Sequence, residues 1–208
     1  MEAETEATAA RVVQAPVVLR TTIPVPVPQP AIARDALSPA LQAVWTHIEE
    51  QVALGRPDGP DENTVANVQA WADGAFRTWV DERRDALVET RALLEEVPQE
   101  PVHERSMALA LWAYAFEDLG AQIAGAPMPG EIATDDELRG IYIESLNDAM
   151  VPLGRRAMEL YADCQRRLLP LGDESEWLPW RAYCVQRGQE LIEGYGFTED
   201  DAEASADD

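Results

Sequence analysis

Histidine, cysteine and basic residues are scarce in this 208-residue chain, which has two histidines, two cysteines and no lysine. His47 and His103 leave little for general base catalysis. Neither histidine belongs to a Ser-His-Asp triad pattern. The sequence also has no nucleophile elbow, P-loop or dinucleotide-binding fingerprint. We therefore expect no catalytic residue, no cofactor site and no enzymatic activity.

Positive charge is also in short supply, and long apolar runs are missing. The chain has 16 basic and 39 acidic residues, a formal net charge of −23. Such a charge disfavours nucleic acid and anionic membrane surfaces as partners, because phosphates would be repelled. It favours a basic protein partner or serves solubility. No stretch approaches the roughly 20 apolar residues of a transmembrane helix, so we expect no membrane span.

The start of the chain does not read as a secretory signal. Residues 1–6 are acidic and no apolar core follows them. Two locations stay open: the cytoplasm, or the periplasm or outer membrane after removal of a leader. The cysteine pair described below favours the second.

A proline-rich segment dominates residues 1–35. Between Ile23 and Pro30 every second residue is proline. Alternating proline removes backbone donors and fixes φ, which favours polyproline II and excludes helix. We predict an extended arm or tether, acting as a spacer, lying along its own domain, or serving as a ligand for an aromatic groove.

Helical periodicity fills residues 36–197, and the predicted class is all-α: a single domain of about six helices in antiparallel hairpins, solenoid-like or bundled. Ser38 and Pro39 predict the first N-terminus, and Thr134 with Glu137 forms a capping box. Pro152 is expected to break or kink the fourth helix. Residues 198–208 are acidic and predicted to be disordered. The expected helices are the following: one from Ser38, one over residues 63–96 with a bend at Gly74, one over 102–123, one from Thr134 with Leu138 and Ile141 inward, one over 153–170, and one from about 175 to Gly194 or Gly196.

Cys164 and Cys184 lie twenty residues apart, on either side of a turn-like stretch at residues 171–175. In an antiparallel hairpin they would stand at similar heights, and small neighbours such as Ala157 and Gly188 would permit the close approach that a disulfide needs. The alternative is two buried free thiols. No metal site is expected, because neither histidine has ligand spacing to the cysteines.

Two further sets of residues are candidate sites. The aromatic residues Trp71, Phe76, Trp79, Trp112 and Trp180 are expected in the core, but would mark an interaction site if several proved exposed in one groove. The carboxylates of Glu137, Glu144 and Asp148 could share a helix face, which is expected to be solvated rather than a cleft.

Residues 105–195 contain Leu119-Gly120, an Ala-Pro-x-Pro turn at 126–129, and a series of helix-packing positions, namely Tyr142 with Leu146, Ala149, Pro152-Leu153, Ala157, Tyr161, Cys164, Glu176-Trp177 and Cys184. With these features the region resembles tetratricopeptide-repeat proteins of the myxobacterial type, several of which belong to the cell envelope. No repeat of about 34 residues recurs. The resemblance implies a helical-hairpin fold that binds proteins.

Two functions follow as the leading hypotheses, ahead of a third, an enzyme of unrecognised type. The first is a non-enzymatic scaffold domain in a periplasmic or outer-membrane-associated bacterial assembly, tethered by its N-terminal arm. The second is a cytosolic acidic regulator, or immunity-type protein, that blocks a basic partner.

Overall fold

A computed structural model describes residues 17–197, and within them every regular element is helical, which confirms the all-α class. Residues 1–16 of the predicted arm lie outside the described residues, and so does the whole predicted tail, residues 198–208. The helices are α1 (Pro39–Ala53), α2 (Val65–Trp71), α3 (Arg77–Glu96), α4 (Val102–Ala124), the single-turn α5 (Gly130–Ala133), α6 (Asp136–Leu168) and α7 (Leu178–Tyr195), with short 3₁₀ turns at Arg34–Ala36 and Leu169–Leu171.

The helix starts at α1 and α2 follow from local capping. The Ser38 side chain accepts from the Leu41 backbone N–H and Pro39 occupies the first turn, as the sequence predicts. Thr64 caps α2 through the N–H of Asn67. A π-helical turn at Ala72–Phe76 joins α2 to α3, so the helix continues from 65 to 96 with Gly74 inside the turn.

Helix α4 is the centre of the domain. Every residue from Ser106 to Ala113 is buried, because α1, α3 and α6 all pack on α4. α7 packs on α6 in turn, forming the last antiparallel hairpin. Residues 17–33 have neither helix nor strand, and hydrogen bonds from Asn147, Tyr183 and Trp180 hold this arm against its own domain.

Of the two outcomes expected at Pro152, a break or a kink, the break does not occur. α6 runs through Pro152 without ending, although an interior proline removes a backbone hydrogen bond at a cost of about 3 kcal/mol. The residues after it offset that cost by packing. Ala157 is fully buried, and Gly154 accommodates the ring of Tyr195 so closely that a Cβ at 154 would lie 2.7 Å from its Cζ.

Two details at the start of α6 also differ from expectation. Asp135, not Thr134, is the N-cap, and its carboxylate accepts from the backbone N–H groups of Glu137 and Leu138. Leu138 and Ile141, expected to face inward, are exposed, and the buried residues of α6 begin only at Asn147.

The α6–α7 hairpin has the geometry predicted from the cysteine spacing. Its turn contains Gly172, whose φ of 76° suits a residue without Cβ. Cys164 and Cys184 have Cα atoms 6.3 Å apart and sulfur atoms at disulfide distance, 2.06 Å. Both cysteines are buried, so this cross-link fixes α7 against α6 from inside the core.

Candidate functional site

The predicted tryptophan set does not form one site. Trp79, Trp112 and Trp180 are buried, and Trp71 is half-buried. Trp71 and Trp79 both stack on Phe76, with centroid distances of 4.6 and 5.7 Å. Trp112 and Trp180 lie elsewhere, each beside a different surface feature of the domain.

The other polar candidates are dispersed. His47 Nε2 lies 3.1 Å from the carbonyl oxygen of Ala86, and His103 stacks on Trp177 with ring centroids 4.0 Å apart. Burial lowers the pKa of His103. The carboxylates of Glu137, Glu144 and Asp148 lie on exposed residues of α6, as expected for a solvated face.

A groove runs between α3 and α6, with α4 as its floor. It has a wider section of about 890 Å³ and a narrower one of about 420 Å³. Three residues line both sections, so the two are continuous: Arg91 on α3, Trp112 on α4 and Arg156 on α6. We call this feature the α3–α6 groove.

The floor of the α3–α6 groove is aromatic. The indole N–H of Trp112 donates to the carbonyl of Leu87 at 3.2 Å, which fixes the ring, and Phe116 packs beside it at 5.6 Å. The guanidinium of Arg156 lies 5.1 Å from the Trp112 ring centroid, a cation–π contact. On the α3 wall Val88 is 71% exposed, so an apolar side chain faces solvent beside this aromatic floor.

Charge is balanced in this groove although the protein is strongly acidic. Five arginines and five carboxylates line it: Arg84, Arg91, Arg105, Arg156 and Arg166 with Asp81, Asp85, Glu95, Glu159 and Asp163. Several pair within one helix, as Arg156 does with Glu159 and Arg166 with Asp163, both at 2.8 Å. Nearly a third of the 16 basic residues of the chain thus surround one groove.

On the other side of α6, α7 carries a second surface. Trp180, Tyr183 and Arg187 are spaced three and four residues apart, so they share one face of the helix. All three are buried and donate hydrogen bonds to carbonyl groups of the N-terminal arm. We call this the arm site.

Beneath the arm site lies a buried ionic network. Arg187 pairs with Glu117 of α4, and both side chains are at most 1% exposed. The Tyr161 hydroxyl donates to Glu117 Oε2 at 3.1 Å and lies 3.3 Å from the Tyr183 hydroxyl. Burial raises the pKa of both tyrosines, which keeps them protonated as donors. Thr22 of the arm also donates to Glu117, so the arm completes this network.

A second buried pair joins α3 to α4. Arg83 Nη2 lies 2.8 Å from Asp118 Oδ2. Burial raises the pKa of Asp118, and the Arg83 guanidinium opposes that shift. Arg83 also donates to the carbonyl of Gln51 near the end of α1, so the pair ties three helices together and is structural.

Sequence reasoning named Trp112 of the groove and Trp180 of the arm site as candidates, but it predicted neither the groove nor the contacts of Tyr183 and Arg187 with the arm. The signal for the arm site was present, since an arginine at 187 follows Trp180 and Tyr183 on an otherwise apolar helix face. Such a charge predicts a buried partner. No comparable signal marks the groove, because it is defined by the spacing between α3 and α6.

No family model, curated protein or solved structure matches the chain. None of the helices in the described part of the chain is long and apolar enough to cross a membrane. Residues 17–197 also contain no cluster of three His, Cys, Asp or Glu residues that could hold a metal ion.

Proposed function

We propose that this protein is a non-enzymatic interaction domain that binds a helix of a partner protein in the α3–α6 groove, within an extracytoplasmic bacterial assembly at the periplasmic side or outer membrane. The observation that carries the proposal is the groove itself, with an aromatic floor and an exposed Val88 beside it. Amphipathic helices bind in grooves of this kind, and aromatic residues are common at the centre of protein interfaces.

The shape of the α3–α6 groove favours a helix as its occupant. α3 and α6 both run antiparallel to α4, since Leu94 and Asp163 lie near Arg105 while Leu153 lies near Phe116. The lined stretch of α3 from Asp81 to Glu95 is about 20 Å long at the helical rise of about 1.5 Å per residue. An amphipathic helix of about four turns would lie between the two walls, with its apolar face on Trp112.

The cysteine pair supports the extracytoplasmic part of the proposal. Disulfides persist in oxidising compartments and are rare in the bacterial cytoplasm. The cytosolic alternative, an acidic regulator that blocks a basic partner, requires Cys164 and Cys184 to be free thiols in the native cell. The intact mass of protein isolated without reductant distinguishes the two. A gain of about two mass units on reduction supports the proposal, and two alkylatable thiols before reduction contradict it.

Site-specific photo-crosslinking tests the groove. A photoreactive residue at Val88 should capture a defined partner protein in the native cell. The matched control is the same residue at Leu169, which is 54% exposed but lies at the end of the α6 helix, outside the groove. Capture at 88 and not at 169 supports the proposal. Equal yields of the same proteins at both positions, or no product at either, contradict it.

A further inference from the structure

We propose that the partner helix is longer than the α3–α6 groove: it leaves the wider section of the groove and continues along an exposed face of the N-terminal half of α6, where its side chains are basic. The inference rests on the proposed function, because it extends the same binding site. It adds the length of the partner helix and the charge of the segment that leaves the groove.

One row of residues on α6 joins this exposed face to the groove. In the groove the row runs at intervals of three and four residues through Arg156, Glu159, Asp163 and Arg166. The same intervals continue towards the helix N-terminus through five exposed residues, namely Leu138, Ile141, Ser145, Ala149 and Pro152. Residues three and four apart share one face of a helix, so the groove wall and these five residues form one surface. We call the five residues the α6 stripe.

The α6 stripe is an apolar face that the described part of the chain leaves open to solvent. Leu138 is 47% exposed and Ile141 is 56% exposed. The Ser145 hydroxyl donates to the carbonyl of Ile141 at 3.0 Å, so its polar group is satisfied within α6. Ser145 and Ala149 are small, which lets a second helix approach α6 closely. An apolar helix face of this kind is suited to burial under another helix.

A row of carboxylates beside the α6 stripe determines the charge of the segment that binds there. Glu137, Glu144 and Asp148 are exposed and follow one another at intervals of seven and four residues, so they lie along one edge of the stripe. The ion pairs on α6 involve other carboxylates, and within residues 17–197 none includes these three. We call them the acidic row.

The wider section of the groove continues this acidic character on α3. Asp81 and Asp85 line that section, whereas Arg105 and Arg166 line the narrower one. A helix that leaves the groove at its wider section therefore passes these two carboxylates and then the acidic row. Basic side chains on that segment would be attracted and acidic ones repelled, which fixes both its charge and its position on α6.

The length of α6 sets the length of the partner helix. Between Leu138 and Arg166, α6 is about 42 Å long at the helical rise of about 1.5 Å per residue. The matching occupant is an amphipathic helix of about eight turns, half of it between α3 and α6 and half on the α6 stripe. A second copy of this chain is a poor occupant, because a net charge of −23 opposes self-association.

Photo-crosslinking from Ile141 tests the extension, in parallel with crosslinking from Val88. A photoreactive residue at 141 of the full-length protein should capture the same partner protein in the native cell as one at 88. The two crosslinked peptides should belong to one helical segment, and the part joined to 141 should contain more Lys and Arg than Asp and Glu. The matched control is position 139, whose arginine side chain is 44% exposed. It lies two residues away and therefore about 200° around the helix axis.

The outcomes separate the extension from the groove. Capture at 88 combined with a yield at 141 no greater than at 139, or with a different protein at 141, overturns the extension and leaves the groove in place. Crosslinks from 141 to residues 1–16 or to a second copy also overturn it, because the protein itself would then cover the α6 stripe. If no product forms at 88 or at 141, the proposed function is contradicted and the extension fails with it.

Neutralising the acidic row tests the charge of the partner. The double variant Glu144→Gln with Asp148→Asn should recover about fivefold less of the partner captured through residue 88, the size expected for the loss of two exposed ion pairs. Raised salt should remove this difference. The control is Glu50→Gln with Asp58→Asn, which changes the net charge equally at exposed residues of α1 and the loop after it. Unchanged recovery with the first variant, or equal losses with both, would overturn the basic segment.

Discussion

The arm site and the α3–α6 groove flank the same long helix, α6, but they satisfy their polar groups in opposite ways. In the groove, Arg156 and Arg166 pair with carboxylates of their own helix, so these two charges need no partner molecule. In the arm site, the indole N–H of Trp180 and the hydroxyl of Tyr183 donate to carbonyl groups of the arm. The groove is therefore open to a partner, whereas the arm site is already occupied by a segment of its own chain.

The largest expected effect comes from breaking the network beneath the arm site. Arg187→Met would leave the Glu117 carboxylate buried without its cation. Removing one member of a buried ion pair costs about 3–5 kcal/mol, which is a large fraction of the stability of a domain. Urea unfolding followed by tryptophan fluorescence measures the loss.

The matched control for that change is Arg166→Met in the groove. Its pair with Asp163 is partly exposed, and such pairs contribute about 0–1 kcal/mol. Equal losses of unfolding free energy in the two variants would contradict the distinction between the two surfaces.

The second effect concerns the cross-link that supports the arm site. Replacing both Cys164 and Cys184 with serine should lower the free energy of unfolding by about 3 kcal/mol, because the closed loop no longer restricts the unfolded chain. Thermal unfolding with and without reductant gives the same comparison in the native protein. A melting temperature that does not respond to reductant would mean that the cysteines are not joined in solution.

The third effect is smaller and local to the arm. Tyr183→Phe keeps the ring and removes the donor to the Val25 carbonyl, at a cost of about 1 kcal/mol. The arm should then open more often, and trypsin should cleave after Arg20 about five times faster. Tyr142→Phe is the control, because that half-buried hydroxyl has no hydrogen-bond partner within residues 17–197. Equal cleavage rates in the two variants would show that Tyr183 does not hold the arm.

The two surfaces also differ in how far sequence reasoning reaches. Local signals sufficed for the cap at Ser38, the hairpin and the position of its cysteines, because each depends on residues close together in sequence or on helical periodicity. Binding of the proline-rich arm depends on Glu117 and Arg187, which lie 70 residues apart. Helical periodicity is a local signal and does not predict a contact between residues so far apart in sequence. The likeness to tetratricopeptide-repeat proteins stays a prediction.

The break expected at Pro152 shows how a local rule can give a wrong answer. Proline does disfavour helix interiors. At Pro152 its free-energy cost is offset by the packing of the residues that follow, where Ala157 and Met158 are buried. The groove was beyond prediction for a related reason. Its walls, α3 and α6, contact α4 separately, so its width depends on how two helices are placed on a third.

The smallest expected effect on stability is at the α3–α6 groove, and it is the most specific test of function. Val88→Asp changes a 71%-exposed side chain, so the free energy of unfolding should move by no more than about 0.5 kcal/mol. The new carboxylate would face the apolar stripe of a bound helix. Once the partner has been identified by crosslinking through residue 88, the amount of it that copurifies with Val88→Asp should be at least tenfold lower than with the unchanged protein. Leu169→Asp, at a similarly exposed position outside the groove, should retain the partner. Neither change perturbs the arm site. A loss of partner in Val88→Asp alone would therefore be caused by the groove surface and not by a change elsewhere in the fold. If both variants retain the partner, the partner does not bind in the groove.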